Sequence, residues 1–154
     1  MIATSLLVAM QMIQTLPPPT AEPTSATVWN CGFDQADGEY FWLKGTFPEV
    51  PAGWDVNTAM PTIVEGSGPE VLTGDLQVKP FSANALYRRY YVVAPAPDGG
   101  HYNMMFLLLA DDTGMATIER YTPDPATGRG TIRAVATGHC DSTLLDLAEE
   151  GDGK

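Results

Sequence analysis

Cations are scarce in this chain. Eight lysines and arginines stand against 19 aspartates and glutamates, for a net charge of −11 at pH 7. A phosphate-binding surface needs clustered cations, and here they are spread along the sequence. The one adjacent pair, Arg88-Arg89, lies in a strand pattern, where neighbours point to opposite faces. Nucleic acid is thereby excluded as a partner, and adsorption to anionic lipid is disfavoured.

Chemistry-bearing residues are equally few. His101 and His139 are the two histidines, and Cys31 and Cys140 the two cysteines. His139 adjoins Cys140, but adjacent side chains on a strand point apart, so a Cys-His nucleophile pair is badly placed. The sequence has no zinc motif, glycine-rich phosphate loop or Gly-x-Ser-x-Gly nucleophile turn. Asp34, Asp37 and Glu39, and separately Asp111 and Asp112, sit in turns without EF-hand spacing. Asp and Gly are the residues turns need in any case. The expectation is a non-enzymatic protein with no cofactor and no metal.

Long apolar runs are also lacking, with one exception near the start. Ile2 to Leu16 is apolar apart from Thr, Ser and Gln, and Pro17-Pro18-Pro19 stops any helix there. A membrane span needs about 20 apolar residues, so this run is short for one. Residues 1–26 read as a signal peptide with a Pro-rich linker, Thr24-Ser25-Ala26 serving as the cleavage site. An uncleaved anchor, or a helix packed on the domain, are the alternatives. No lipobox cysteine follows the run. The expected location is periplasmic or secreted, or membrane-anchored facing the periplasm.

What is present is a succession of strands. The 15 glycines and 13 prolines fall mostly between apolar runs. Strand patterns cover Trp29–Phe33, Glu39–Phe47, Thr62–Glu65, Glu70–Val78, Leu86–Ala94, Tyr102–Ala110, Met115–Thr122 and Thr131–Cys140, with a long loop over 48–61. Regular short strands without a helical period predict an all-β, antiparallel up-and-down barrel, or barrel-like sandwich, of about eight strands over residues 27–141. An exported chain with one cysteine pair predicts a Cys31–Cys140 disulfide. That bridge brings the first strand beside the last, which is the condition for barrel closure. Asp141 or Ser142 is placed to cap a short acidic C-terminal helix within 142–154, with Leu144, Leu145, Leu147 and Ala148 on its apolar side.

Three groups of residues are candidates for binding. Tyr87, Arg89 and Tyr91 share one face of a strand and are candidate lining for a small ligand. The small residues of the last strand, Ala134, Ala136 and Gly138, are expected to receive the Trp29 indole of the first strand, and the alternative is a ligand cavity that Trp29 lines and they floor. Met104, Met105, Phe106, Leu107, Leu108 and Leu109 form a strand apolar on both faces. One face fills the barrel, and the other needs a cover, either the C-terminal helix, the leader or a partner.

Trp29-x-Cys31, Asp112-x-Gly114-x-Ala116-Thr117 and Gly138-x-Cys140 together resemble small exported bacterial β-proteins of unassigned function. That resemblance implies export, a strand-to-strand bridge and an all-β fold, and assigns no catalytic residue. Trp29 on the first strand with Arg133 on the last also resembles the Trp and Arg of lipocalin- and avidin-like barrels, at the level of fold, and that resemblance implies Trp29 and Arg133 as further ligand-lining candidates. The chain departs from the lipocalin Gly-x-Trp opening, since Ala26-Thr27-Val28 precedes Trp29. The expected function is an exported module that binds a small apolar or amphipathic ligand, or a protein. The alternative is an accessory subunit of an envelope complex held by an uncleaved N-terminal helix.

Overall fold

A computed structural model describes residues 25–49 and 59–146. They form eight antiparallel strands: β1 (Ser25–Gln35), β2 (Tyr40–Pro48), β3 (Met60–Gly66), β4 (Gly74–Ala83), β5 (Tyr87–Pro95), β6 (His101–Leu109), β7 (Thr113–Pro123) and β8 (Gly130–Asp146). Each strand pairs with its neighbours in sequence, and β1 pairs with β8, so the sheet is a closed barrel. The β1–β8 ladder is unbroken from Ser25↔Asp146 to Gln35↔Ala136. Cys31 and Cys140 lie opposite each other in it and form the disulfide, with Cα atoms 4.0 Å apart.

Alternation decides what fills the barrel. On β1 the odd residues Trp29, Cys31 and Phe33 are buried; on β2 it is Phe41, Leu43 and Phe47; on β6 it is Met104, Phe106 and Leu108. Their rings meet across the interior. Trp29 lies 4.6 Å from Phe106, Phe47 lies 4.3 Å from Tyr90, and Phe47 and Phe106 meet edge to face at 5.1 Å. With Val64, Val78, Val92 and Ile118, also fully buried, these side chains pack the lumen as one continuous core. Close packing of this kind is what an eight-stranded barrel of large side chains provides.

Two glycines make room for the largest rings. A Cβ on Gly45 would lie 2.7 Å from the Trp29 indole, and one on Gly138 would lie 2.7 Å from the Phe33 ring. The indole therefore lies over β2. The small residues of β8, expected to receive it, receive Phe33 instead.

The C-terminal helix is a correction. β8 continues as strand through Thr143, Leu144 and Leu145 to Asp146, paired to Val28, Thr27, Ala26 and Ser25. β1 starts at Ser25, ahead of Trp29, and gives this stretch a hydrogen-bonding partner, which overrides its helical propensity. Residues 1–24 of the expected leader, 50–58 of the expected loop and 147–154 lie outside the described residues, while Ser25 and Ala26, expected to end the leader, are buried residues of β1 paired to Asp146 and Leu145. The fourth strand is shifted as well. Glu70–Leu72 is a 3-10 turn that drops Leu72 into the core, and β4 runs on through Pro80 to Ala83. Pro80 donates no ladder hydrogen bond, and the register shifts between Pro80 and Ser82, a bulge at the residue type that favours one.

Candidate functional site

With the interior filled, the other half of every strand faces outward. In register, Arg89 on β5 stands beside Leu107 on β6, then Met115 on β7, His139 on β8, Gly32 on β1 and Trp42 on β2. One step along the strands, a second outward row runs Tyr91, Met105, Thr117, Thr137, Asp34 and Tyr40. These two rows hold two separate surface depressions.

The first lies on β5–β6–β7. It has a volume of about 240 Å³, with Arg89, Tyr91, Met105, Leu107, Met115 and Thr117 around it. Met115 is about half exposed, and Met105 and Leu107 are half-buried. Phe81 on β4 meets Tyr91 edge to face at 5.4 Å and carries the apolar surface toward β4. The Arg89 guanidinium lies 5.1 Å from the Tyr87 ring, a cation–π contact that holds it at the edge of the stripe.

The second lies on β2–β1–β8 and is larger, about 570 Å³. Tyr40 and Trp42 are its aromatic residues. Asn30, Asp34, Lys44, His139 and Asp141 are its polar ones, and all are exposed.

The sequence-predicted residues separate accordingly. Tyr87, Arg89 and Tyr91 come together, but on the outer surface. The inward face of β5 is Tyr90, Val92 and Ala94, with Arg88 at the rim. Trp29 is in the core, where no ligand reaches it without displacing the packing. Arg133 is exposed beyond the end of the β1–β8 ladder, beside Gln35, Tyr102 and Arg120, and the structure does not bring it to Trp29. The strand Met104–Leu109 splits as its alternation requires: Met104, Phe106 and Leu108 inward, Met105, Leu107 and Leu109 outward.

A charged pair sits at each end of the barrel. At one end Arg88 faces Glu49 at 3.6 Å, and the Ser25 hydroxyl donates to the same carboxylate. At the other, Arg120 donates to both Asp98 carboxylate oxygens at 2.6 Å and to the His101 carbonyl at 3.3 Å, and lies over the Tyr102 ring. The Gly100 amide and then the Arg120 guanidinium hold the Asp98 carboxyl below its ordinary range.

The acidic turns serve as turns. Asp37 accepts from the Glu39 amide, and Asp111 accepts from the Thr113 amide and hydroxyl. Those two donors, the hydroxyl foremost, also lower the Asp111 pKa. Among the described residues no three His, Cys, Asp or Glu side chains are grouped to hold a metal ion.

The residues that sequence reasoning passed over are Tyr40, Trp42 and Asn30. The alternation of β2 shows that Tyr40 and Trp42 share a face. Their grouping with Asn30, His139 and Asp141 needs the closed β2–β1–β8 register. No family model, curated protein or solved structure matches the chain.

Proposed function

We propose that the protein is an exported, non-catalytic binding module that docks a segment of another protein on the outer face of β5–β6–β7. The observation that carries this reading is the outward Met105–Leu107–Met115 stripe, held on a sheet whose other side is a filled core. Such a sheet presents the stripe in one fixed shape, and two methionines let it adapt to a partner's side chains. The disulfide supports an oxidising compartment, as expected of an exported protein.

Charge selects among occupants. Copies of a chain with net charge −11 repel one another, so a second copy is disfavoured. Arg89 sits beside the stripe, stacked on Tyr87, so the matching segment has apolar side chains next to a carboxylate. The packed lumen moves binding to the outer wall of the barrel.

A photo-crosslinking residue placed at Leu107 and, as a control, at the exposed outward Ile63 of β3 tests this in exporting cells. A discrete adduct from position 107 alone is expected. The identified partner, purified, should bind wild type and lose about tenfold or more, about 1.4 kcal/mol, against Leu107→Glu. Equal adducts from both positions, or a partner indifferent to Leu107→Glu, would contradict the reading.

A further inference from the structure

The β2–β1–β8 face is a second, chemically different surface, and its residues point to a different ligand. We propose that it binds a neutral saccharide, stacked on Tyr40 and Trp42.

The reasoning begins at Gly32. A Cβ there would lie 2.3 Å from the Tyr40 hydroxyl oxygen and 3.0 Å from two of its ring carbons. The phenol ring therefore lies down on the β1 backbone, in the space the missing side chain leaves. It remains 66% exposed in spite of that contact. One face is held by the sheet and the other is open to solvent. Trp42, two residues along on the same face of β2, is 38% exposed. Together they give two aromatic surfaces on one face of the sheet, and the seated Tyr40 ring has little freedom left to lose on binding.

Around the rings stand groups suited to hydroxyls. Asn30 and Asp141 are paired in register, and His139 lies opposite Gly32. Asp34 pairs with Tyr40. An amide, an imidazole, the Lys44 ammonium and two carboxylates offer both donors and acceptors, and a carboxylate accepts from two neighbouring hydroxyls at once. No aliphatic side chain lines this depression. A pyranose matches that division, with a C–H face for the rings and a rim of hydroxyls for the polar groups. The volume, about 570 Å³, lies in the range of small-ligand sites.

The local charge selects the class of sugar. Lys44 lines the depression with its ammonium over the Trp42 ring at 5.8 Å, and its charge is paired with Glu65 at 3.1 Å. Asp34 and Asp141 leave the face negative, so uronates and phosphorylated sugars are repelled and neutral sugars are accepted. This inference is independent of the docking stripe, which lies on other strands.

The experiment is a titration of the purified protein followed through the backbone amide resonance of residue 32, which lines the depression and is retained in every variant. The probes are cellotetraose, maltotetraose and chitotetraose, with glucuronate and choline as charged controls. At least one tetrasaccharide should bind with Kd of about 1 mM or tighter, and Trp42→Ala should weaken it about tenfold or more. Gly32→Ala is the second variant. Its methyl group meets only the far end of a flexible side chain, so the barrel folds while the Tyr40 ring is lifted, and affinity should fall as well. The proposal is overturned if no tetrasaccharide shifts the resonance up to about 10 mM. It is overturned equally by affinity unchanged in both variants, or by choline or glucuronate binding while the neutral sugars do not.

Discussion

At the scale of single residues, glycine and tyrosine decide more than the charged side chains. Gly45 and Gly138 admit Trp29 and Phe33 to the core, and Gly32 seats Tyr40 outside it. Tyr90 is the buried tyrosine of β5, packed on Phe47. Burial raises its pKa above the ordinary 10.0, the Glu49 charge adds to that, and the Thr27 hydroxyl and Arg88 oppose it. A phenol with a raised folded-state pKa contributes stability that is fully present below the unfolded value. That contribution is lost as pH rises through the folded value. Denaturation measured from about pH 8 to about pH 11 should therefore show wild type losing stability more steeply than Tyr90→Phe. Parallel curves would show that the phenol ionises as freely in the fold as in the open chain.

At the scale of elements, β6 is the sharpest test of alternation. Phe106→Ala removes a ring from the centre of the core and should cost about 3–5 kcal/mol. Leu107→Glu, one residue on, faces outward and should cost less than about 1 kcal/mol in stability while weakening the proposed docking about tenfold or more. Thermal or denaturant unfolding of the two variants distinguishes them, and similar losses would refute the assigned faces. Much of this was legible in the sequence. Period-two apolar patterns indicated eight strands, the fourth of them placed too early in the chain, because a strand with one buried face must alternate. The cysteine pair indicated the closing seam. The end of β8 was not legible, because Thr143-Leu144-Leu145-Asp146 behind an Asp-Ser cap has helical local character, and only its partner on β1 makes it a strand. The inward face of β5 was equally hidden. Tyr87, Arg89 and Tyr91 alternate with Arg88, Tyr90 and Val92, and both sets hold an arginine and a tyrosine. Burial of Tyr90 against Phe47 settles which set faces in.

At the scale of the whole molecule, a closed sheet with a packed interior leaves its outer wall as the surface for the proposed recognition. The disulfide lies on the seam that closes the sheet and joins residues 109 apart in sequence. By the loop-entropy relation such a bridge contributes about 4–5 kcal/mol, in addition to a core already continuous across the barrel. Around that core the outer wall divides by chemistry. It carries a methionine and leucine stripe beside Arg89, and an aromatic and polar face around Gly32, with Met115 and His139 paired between them. The most direct test of recognition outside a filled barrel uses methionine methyl resonances, since Met60 and Met104 face inward and Met105 and Met115 outward. A soluble paramagnetic agent is added to the free protein, and then to its complex with the cross-linked partner. The expected result is broadening of Met105 and Met115 in the free protein, relieved in the complex, with Met60 and Met104 unaffected in both. Broadening of Met104 in the free protein, or a partner that shifts Met60 and Met104 and leaves Met105 and Met115 exposed, would contradict it.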